Sequence, residues 1–416
     1  IFFIIGYFYL LHMLIFTLGG NLYDLKRIRQ QRKQIKKPKN APKPFISVVI
    51  AAYNEEAVIE NTLKSLIRSN YPKSKFEVLI ANNNSHDATA KIVRDFKRKH
   101  PSYQIRLIDR RNNFGKGKSL NYAIKNYVKG DLLVVYDADT IVEPDTLRNG
   151  AAYFDNPEII GVASNVRILP QAKLLTLLQM FEYIIAYRSK KFYTFIDSEM
   201  VIGGVGSFYR RSSIDIYGSY DDLTTTEDIG LSMKIRAQAG RQEKMVYAAD
   251  VLAHTEAVQT FMQLLKQRYR WKMGMLQNLW LNSSKIVKNR QQQPKALVAY
   301  RLPLAFVSEA LLVLEPVLLT TAIMLSLVLG TPWIFLGAWM TITIYSLFAL
   351  WSDEHLKFKH KLRYSLAAPI MYFLYYTMSF IQFASLVKCL LNYKQIIGQK
   401  STGNTWVSPS RTGVAR

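Results

Sequence analysis

Two aspartates, Asp137 and Asp139, follow directly on an apolar run at residues 131–136 (DLLVVY). Two carboxylates one residue apart at a strand end can share a divalent cation with the phosphates of a substrate, and their hard oxygens suit Mg²⁺ or Mn²⁺. The pair alone is a weak signal, because an acidic turn without a ligand has the same sequence. Its position after a predicted buried strand favours a metal site.

A short segment rich in glycine and lysine, residues 113–118 (NFGKGK), leads into a predicted helix. Glycines let the backbone approach a phosphate closely, and the lysines add positive charge beside the N-terminus of the helix. The pattern is neither a Walker A loop nor GxGxxG, since its spacing differs from both. The segment therefore favours phosphate binding, and a flexible basic turn is the alternative.

Three threonines and two acidic residues, Thr224 to Asp228, stand at the start of another predicted helix. A threonine N-cap followed by acidic residues is expected at a helix N-terminus for structural reasons alone. The same geometry would hold a carboxylate rigidly enough to act as a general base. On the residues alone, both a structural cap and a catalytic base are open.

A fourth motif, residues 267–271 (QRYRW), lies on a helical stretch, and Gln267, Arg270 and Trp271 share one face of it. Arginine fits phosphate oxygens through two parallel hydrogen bonds. The face of a tryptophan is a platform for the C–H surface of a sugar ring. A plain basic helix at a membrane interface is the alternative interpretation.

The elements that must position these residues alternate between strands and helices. Strands are predicted at 45–53, 76–82, 104–109 and 131–136, and helices at 56–69, from Asp87 to about Lys99 and at 117–128. This order predicts a doubly wound α/β domain with right-handed crossovers. Ligands of such sheets bind at the carboxyl ends of the strands, where this chain has Asn54-Glu55, Asn82 to Asn84 and Asp137 to Asp139.

The apolar residues are segregated, although the mean hydropathy of the chain is close to zero. Residues 1–22 carry no formal charge and suit a retained bilayer anchor rather than a cleaved signal peptide. Further apolar stretches lie at about 302–329, 332–351 and 364–387. The predicted organisation is a transmembrane anchor (1–22), a basic cytosolic linker (23–44), a cytosolic domain with interfacial helices (45–300), transmembrane helices (301–391) and a C-terminal tail (392–416).

The net charge of +25 would suit a nucleic-acid-binding protein, but much of the excess lies beside the apolar stretches. Basic residues follow the first stretch, from Lys26 to Lys43, and fill the loop before the last one, from Lys357 to Arg363. Such clusters mark cytoplasmic flanks and attract anionic headgroups. The charge therefore favours a membrane partner and no nucleic acid. The single cysteine, Cys389, allows no intramolecular disulfide within this sequence, which agrees with a cytosolic domain.

The four motifs AYNEE (52–56), DAD, TED and QRYRW occur in this order over residues 45–271. Together they make the chain resemble the family 2 inverting glycosyltransferases. Within that family it looks like the membrane-bound processive synthases of cellulose, chitin, hyaluronan and poly-N-acetylglucosamine. The resemblance covers about the central half of the chain. It implies an α/β doubly wound nucleotide-sugar-binding domain of the glycosyltransferase A type, joined to α-helical transmembrane segments.

The resemblance also implies roles for individual residues. Asp228, with Glu227 beside it, would be the base that deprotonates the acceptor hydroxyl. Asp139, aided by Asp137, would bind Mg²⁺ or Mn²⁺. Contacts to the nucleotide sugar would come from Tyr53, Glu55, Asn82, Asn83, Lys116, Asp137, Gln267 and Arg270, and contacts to the acceptor from Gly204, Ser207 and Trp271. Residues Trp406 to Arg411 (WVSPSR) loosely resemble the gating segment of hyaluronan-type synthases.

One departure from the family pattern concerns the nucleotide. Family members usually carry an acidic residue at the second strand end, where it binds the uracil or the ribose. This chain has Asn82-Asn83-Asn84-Ser85 instead. An amide can still hydrogen-bond a pyrimidine, but the departure weakens the assignment of UDP.

The function implied by the resemblance is processive transfer of sugar units from a nucleotide sugar, with UDP-N-acetylglucosamine favoured, to a growing β-linked polysaccharide. The enzyme would be a multi-pass protein of the cell membrane with a cytosolic catalytic domain. Its partners would be the donor, the polysaccharide and the lipid bilayer, with an accessory membrane subunit as a further candidate. The alternatives are a non-processive enzyme that makes a glycolipid, a synthase that uses UDP-glucose or UDP-glucuronate, and, more remotely, a non-enzymatic transporter or scaffold.

Two features of the membrane region stay open on the sequence. A final span at 364–387 would leave the C-terminus outside, away from a cytosolic site, unless one of the apolar segments lies in the membrane interface. The amphipathic stretches 174–196 and 258–281 are predicted to lie along the membrane in this way. Glu309 and Glu315 are costly inside an apolar span. A polar conduit for the product or hydrogen bonding between helices would explain them.

Overall fold

The computed structural model describes residues 2–34, 43–398 and 413, and one mixed sheet forms the centre of the molecule. The strands are β1 (Ile46–Ala52), β2 (Phe76–Asn82), β3 (Gln104–Asp109), β4 (Leu132–Asp137), β5 (Ile141–Val142), β6 (Ile159–Ile168), β7 (Ser207–Arg210) and β8 (Lys244–Thr255). Within the described residues they form an eight-stranded sheet in the order β3-β2-β1-β4-β7-β6-β8-β5.

The first four strands form a parallel half-sheet. Strand β1 pairs with β2 and β4, and β2 pairs with β3. Every residue of β1 and β2 is buried, as expected for strands that are covered by helices on both faces. The register places Ala52, Asn82 and Asp109 side by side and sets Asp137 beside Ala51. The predicted α/β fold is thus confirmed, and the carboxyl ends that carry the motifs meet at one edge.

The second half of the sheet is mixed. Strand β7 is antiparallel to both β4 and β6, whereas β6 and β8 are parallel and β5 is antiparallel to β8. Ser207 of β7 lies opposite Val135 of β4. Gly206, with φ +65°, donates its backbone N–H to the Val135 carbonyl at 2.8 Å. The loop before β7 therefore opens beside the carboxyl end of β4.

Helices cover both faces of the sheet and continue into the apolar region. They are α1 (Phe2–Gln34), α2 (Ile59–Ile67), α3 (Thr89–Lys99), α4 (Lys116–Tyr127), α5 (Thr146–Tyr153), α6 (Leu174–Phe195), α7 (Arg211–Tyr217), α8 (Glu227–Gln238), α9 (Phe261–Lys288), α10 (Leu302–Val328), α11 (Pro332–Trp351), α12 (Phe358–Ser365), α13 (Ala368–Leu391) and α14 (Tyr393–Ile397). Apolar side chains of α2, α3 and α5 pack on one face, and those of α4, α7 and α8 on the other.

Helix α1 continues well beyond the predicted anchor, so residues 23–34 of the predicted linker are helical. Its second half is attached to the sheet domain. The Tyr23 hydroxyl donates to the Tyr247 carbonyl at 2.8 Å, and Asp24 pairs with Lys191 of α6 at 2.8 Å. The predicted bilayer anchor and the domain are therefore joined by specific contacts near the start of the basic segment.

Three helices among the described residues are long and apolar enough, by length and composition, to cross a membrane: Ile4–Gln30, Leu297–Val328 and Ala368–Leu391. A shorter apolar stretch, Phe335–Trp351, lies in α11. Glu309 of α10 pairs with Lys272 of α9 at 2.8 Å, which is the bonding between helices considered for it above. The proposed gating residues Trp406 to Arg411 lie outside the described residues.

Candidate active site

The loops after β1 and β2 are bonded to each other at the carboxyl edge of the sheet. Asn54 adopts φ +54°, which an asparagine tolerates better than most residues. Its backbone N–H donates to Ser85 Oγ at 3.0 Å, and its Oδ1 accepts from the His86 N–H at 2.9 Å. The Tyr53 ring meets the His86 ring edge-on, with 6.4 Å between centroids. Glu55 is almost fully buried, and its backbone N–H donates to Thr89 Oγ1 at 2.8 Å.

The asparagines that end β2 are both buried. Asn82 donates to Asp109 at 2.6 Å and accepts from Ser85 at 2.6 Å. Asn83 bonds the glycine- and lysine-rich segment: it accepts from the Phe114 N–H at 3.2 Å and from Ser119 Oγ at 2.6 Å, and it donates to Asn113 at 2.5 Å. The amide of Asn83 thus fixes the loop that leads into α4.

Lys116, at the start of α4, joins the DAD and TED motifs. Its Nζ lies 2.7 Å from Asp137 Oδ1 and 3.2 Å from Glu227 Oε1. Burial alone lowers the pKa of the Lys116 ammonium, but the carboxylates of Asp137, Glu227 and Asp228 outweigh burial and raise this pKa above its ordinary value. The Lys116 ammonium group therefore lies among carboxylates that come from two motifs far apart in the sequence.

Asp228 lies on the first turn of α8 and faces the loop before β7. A Cβ built on Gly204 would come within 3.0 Å of Asp228 Oδ2, so a side chain at this position would crowd the carboxylate. Ser232 Oγ fixes the two elements together, because it accepts from the Ile202 N–H and lies 2.8 Å from the carbonyl oxygens of both Ile202 and Asp228, which share its single donor hydrogen. The structure thus brings together Gly204 and Asp228, one predicted for the acceptor and one for catalysis.

The Thr226 hydroxyl makes no capping hydrogen bond, although Thr226 is the N-cap residue of α8. It lies instead against α9, where a Cβ on Gly274 would collide with Thr226 Oγ1. A purely structural cap therefore does not explain the threonine run. Its residues determine how closely α9 approaches the start of α8.

Asp139 is buried and is held from the far side of the sheet. Thr255, at the end of β8, donates to Asp139 Oδ2 at 2.9 Å, and the neighbouring His254 bonds Glu143 at 2.9 Å. Thr255 and His254 were not predicted as site residues. Their strand lies more than a hundred residues beyond the DAD motif. No local sequence pattern indicates that they lie beside this motif in the fold.

The QRYRW segment lies on α9, and its arginines differ in their surroundings. Arg270 is exposed, whereas Arg268 is buried, pairs with Glu182 of α6 at 2.8 Å and stacks over Trp271 at 4.3 Å. Trp271 is half-buried, as is Gln267. The α9 helix contacts the TED segment through Gly274, one turn beyond Trp271, while Ser207 of the acceptor prediction is buried within β7.

The donor set at the DAD motif suits a hard divalent cation. No group of three or more His, Cys, Asp or Glu residues that could hold a metal occurs in the described part of the chain. Asp137 and Asp139 supply two carboxylates at one strand end, and the Lys116 ammonium beside Asp137 shows that positive charge is stabilised there. Phosphate oxygens and water would complete the coordination, as is usual for Mg²⁺.

The pKa of Asp228 is raised, first by burial and then by the charge of Glu227, while Lys116 opposes the shift. If Asp228 is the predicted base, it works only when deprotonated, so activity should fall as the pH drops through this raised pKa. Glu227→Gln removes a negative charge and lowers the pKa of Asp228. We expect the acid limb of the kcat/KM profile to move to lower pH in this variant.

The matched control is Glu60→Gln, which changes an exposed carboxylate on α2 that pairs only with Lys64 in its own helix among the contacts described. Its acid limb should coincide with that of the wild type. An unmoved limb in Glu227→Gln, measured at saturating metal, would show that Asp228 does not set the pH dependence.

Residues 42–274 match the sequence profile of the family described as "Glycosyltransferase like family 2". This match covers more than half of the chain and includes all four motifs. The chain belongs to this family. The predicted family is therefore confirmed, as is its glycosyltransferase A-type fold. Enzymes with this fold commonly use a divalent metal.

Two curated relatives of this family 2 chain differ in their products. One is a poly-β-1,6-N-acetyl-D-glucosamine synthase from Staphylococcus epidermidis, 29% identical over 281 residues that cover 66% of this chain and 66% of the relative. The other is a β-monoglucosyldiacylglycerol synthase from Nostoc sp., 29% identical over 280 residues that cover 65% of this chain and 59% of the relative. The chain thus aligns with less than two thirds of the length of either relative.

Among solved structures, the family 2 chain is similar to a mannosyltransferase from Pyrobaculum calidifontis that was solved in complex with GDP-Man and Mn²⁺. The TM-score is 0.58 at 20% identity, and the superposition covers 91% of this chain and 98% of the mannosyltransferase. At this identity the similarity establishes the fold.

Proposed function

We propose that the chain is an inverting glycosyltransferase that moves sugar units from a nucleotide sugar to a growing β-linked polysaccharide at a membrane. The observation that carries the proposal is Lys116, whose Nζ lies between Asp137 of the DAD motif and Glu227 of the TED motif. This contact joins a diphosphate-binding strand end to a helix start that holds a base. A transporter or scaffold would need no such cluster.

In this proposal Asp228 accepts the proton of the acceptor hydroxyl while that oxygen attacks the anomeric carbon from the face opposite the leaving diphosphate. Gly204 leaves room beside Asp228 Oδ2, and this space suits the attacking hydroxyl. Glu227 holds the charge of Lys116 near the base. Because attack comes from the opposite face, an α-linked donor yields a β-linked product.

The departing diphosphate needs cations close to it. Lys116 and the exposed Arg270, with Gln267 on the same face of α9, are the candidates from this chain. A divalent cation held by Asp139 and Asp137 would supply Lewis-acid neutralisation of the phosphate charge. Trp271 would offer the acceptor sugar the ring face that Arg268 does not cover, and Tyr53, Glu55 and Asn82 would contact the nucleotide. Asn83, fully buried, would act by positioning the Lys116 loop.

N-acetylglucosamine is the sugar that we propose, because a relative that matches over 281 residues is a poly-N-acetylglucosamine synthase. Transfer to a lipid is the second candidate, favoured by the similarity to a β-monoglucosyldiacylglycerol synthase. The two differ in the product. Purified membranes incubated with a panel of radiolabelled nucleotide sugars should convert UDP-N-acetylglucosamine into material that stays at the origin after lipid extraction. Label that moves entirely into the lipid phase would favour the glycolipid enzyme.

We also propose that helix α13 lies along the catalytic domain and does not cross the bilayer. Near its first end, Met371 packs in an apolar cluster with Phe181 of α6. Near its other end, Cys389 Sγ donates to the Tyr269 carbonyl of α9 at 3.9 Å. A perpendicular span could not place both ends beside one domain. The crossings would then be α1 and the hairpin of α10 and α11, and the residues after α13 would lie on the catalytic side.

Single cysteines test this placement in a Cys389→Ser background. Cysteines at Lys359 and Lys394, both exposed, should resist an impermeant maleimide added to intact cells and should react after permeabilisation. A cysteine at Leu329, near the turn between α10 and α11, should react from outside and is the positive control. Rapid labelling at Lys394 in intact cells would mean that α13 crosses.

A further inference from the structure

A stripe of buried polar residues lies on the face of α9 that meets α8. Gly274, Gln277, Asn278 and Asn282 follow one another at helical spacing, and all four are buried. Asn278 and Asn282 bond within α9, to the Gly274 carbonyl at 2.9 Å and to Asn278 Oδ1 at 3.3 Å. Gln277 differs, because its side chain also bonds two other segments of the chain.

The side chain of Gln277 uses both ends of its amide. Its Oε1 accepts from the backbone N–H of Thr225 at 2.8 Å, and its Nε2 donates to the backbone carbonyl of Gln395 at 3.0 Å. These partners fix the orientation of the amide, since only oxygen can accept and only nitrogen can donate. Gln277 is fully buried, so water cannot replace either bond cheaply.

Thr225 stands three residues before Asp228, in the segment that leads into α8. Gly274 of the same α9 stripe packs against Thr226, which leaves this segment little freedom to shift along α9. Gln395 lies in α14, directly beyond α13. The side-chain amide of Gln277 thus connects the residues just before the proposed base with the segment that follows the apolar helices.

We propose that Gln277 is a positioning residue. It holds the start of α8, and with it the Asp228 carboxylate, at a fixed position relative to α14. It is not among the residues predicted to bind the substrate or the metal. The position of Asp228 therefore depends on the contact between α9 and α14. The segment that follows α13 thus contributes to the alignment of the proposed base. This inference rests on the proposed function only for its kinetic consequence.

Gln277→Leu removes the hydrogen bonds to Thr225 and Gln395 at similar volume. In the full chain in lipid, we expect kcat to fall roughly tenfold, with little change in donor affinity. This fold-change corresponds to about 1.4 kcal/mol, which lies within the cost of leaving a buried N–H or C=O unpaired. Hydrogen exchange at the Thr225 amide should speed up by a similar factor. The matched control is Asn282→Leu, a buried amide on the same stripe that bonds within its own helix, and it should change neither quantity.

Gln277→Glu separates the two bonds. A carboxylate still accepts from the Thr225 N–H but cannot donate to the Gln395 carbonyl, and protonation restores the donor. Its kcat relative to wild type should therefore recover as the pH is lowered.

Unchanged exchange at Thr225 in Gln277→Leu, or a relative kcat of Gln277→Glu that does not recover as the pH is lowered, would overturn the proposal. Equal effects of Gln277→Leu and Asn282→Leu would overturn it too, since they would indicate a general loss of stability. The exchange measurement needs no substrate. A wild type that is inactive with every nucleotide sugar would refute the proposed function while leaving the test of Gln277 intact.

Discussion

Replacing Asp228 by asparagine is expected to lower the rate of sugar transfer by roughly two to four orders of magnitude, the usual range for loss of a general base. The asparagine keeps the shape and one acceptor oxygen but cannot take a proton. The candidate diphosphate contacts lie on other elements, so donor binding should stay near normal. Calorimetry with the nucleoside diphosphate and a transfer assay on the same preparation would measure both quantities.

Arg270→Ala provides the contrast to Asp228→Asn. The guanidinium of Arg270 would meet the diphosphate in the bound donor and in the transition state alike, so its loss should weaken donor binding and turnover together. Trp271→Ala should mainly impair the acceptor, giving donor hydrolysis or short products. Wild-type transfer by Asp228→Asn would mean that this carboxylate is not the base.

Loss of the metal is the second change with a large expected effect. If Asp139 and Asp137 hold a cation on the diphosphate, excess EDTA should abolish transfer and Mn²⁺ or Mg²⁺ should restore it. Asp139→Asn should be inactive while still inserting into the membrane, because it replaces one of the two carboxylates by a neutral amide that binds a divalent cation more weakly. Titration of Mn²⁺ binding to the wild type and to the variant in the presence of UDP gives a readout that is independent of activity.

Thr255→Val is a useful companion to Asp139→Asn. Thr255 donates to Asp139 Oδ2, so valine removes the bond that orients the carboxylate but keeps its charge. We expect weaker Mn²⁺ binding that is overcome by higher metal concentration, whereas Asp139→Asn should not be rescued. Full activity of the wild type in excess chelator would refute the metal assignment.

The parallel half of the sheet could be predicted from the sequence because its signals are local. Strands β1, β2 and β4 are short apolar runs that end in polar residues, and β3 alternates polar and apolar residues. The observed bounds of all four lie close to the predicted ones. Parallel pairing then brings those ends to one edge whatever the rest of the chain does. This is why Asp137, Asn82 and Glu55 were predicted as neighbours.

The mixed half of the sheet could not be predicted in this way. Strand β8 lies between β6 and β5, and it carries Thr255 to Asp139 across 116 positions of the sequence. Asn83 resembles a ligand-binding amide because it follows a strand end, but the loop at Asn113 and Phe114 closes over it. Such contacts depend on long-range pairing, and no pattern in the neighbouring residues reports them.

Gln277 illustrates the same limit within a helix. Its position on α9 has the spacing of a buried residue, whereas its type predicts exposure, because glutamine side chains mostly face solvent. The sequence therefore does not show that Gln277 is buried. Its two partners come from segments that precede and follow it by 52 and 118 positions. The QRYRW motif on the same helix has residue types that suit phosphate and sugar, but the basic-helix alternative stayed open until the family resemblance was considered.

Incorporation from radiolabelled UDP-N-acetylglucosamine is the most direct test of nucleotide-sugar transfer at this site. The full chain, purified and reconstituted in lipid with Mn²⁺, should make a large product that β-specific hydrolases degrade, and Asp228→Asn should make none. The linkage tests inversion, and the variant tests the site. Absence of incorporation from every nucleotide sugar supplied, an α-linked product, or equal synthesis by Asp228→Asn would contradict the assignment.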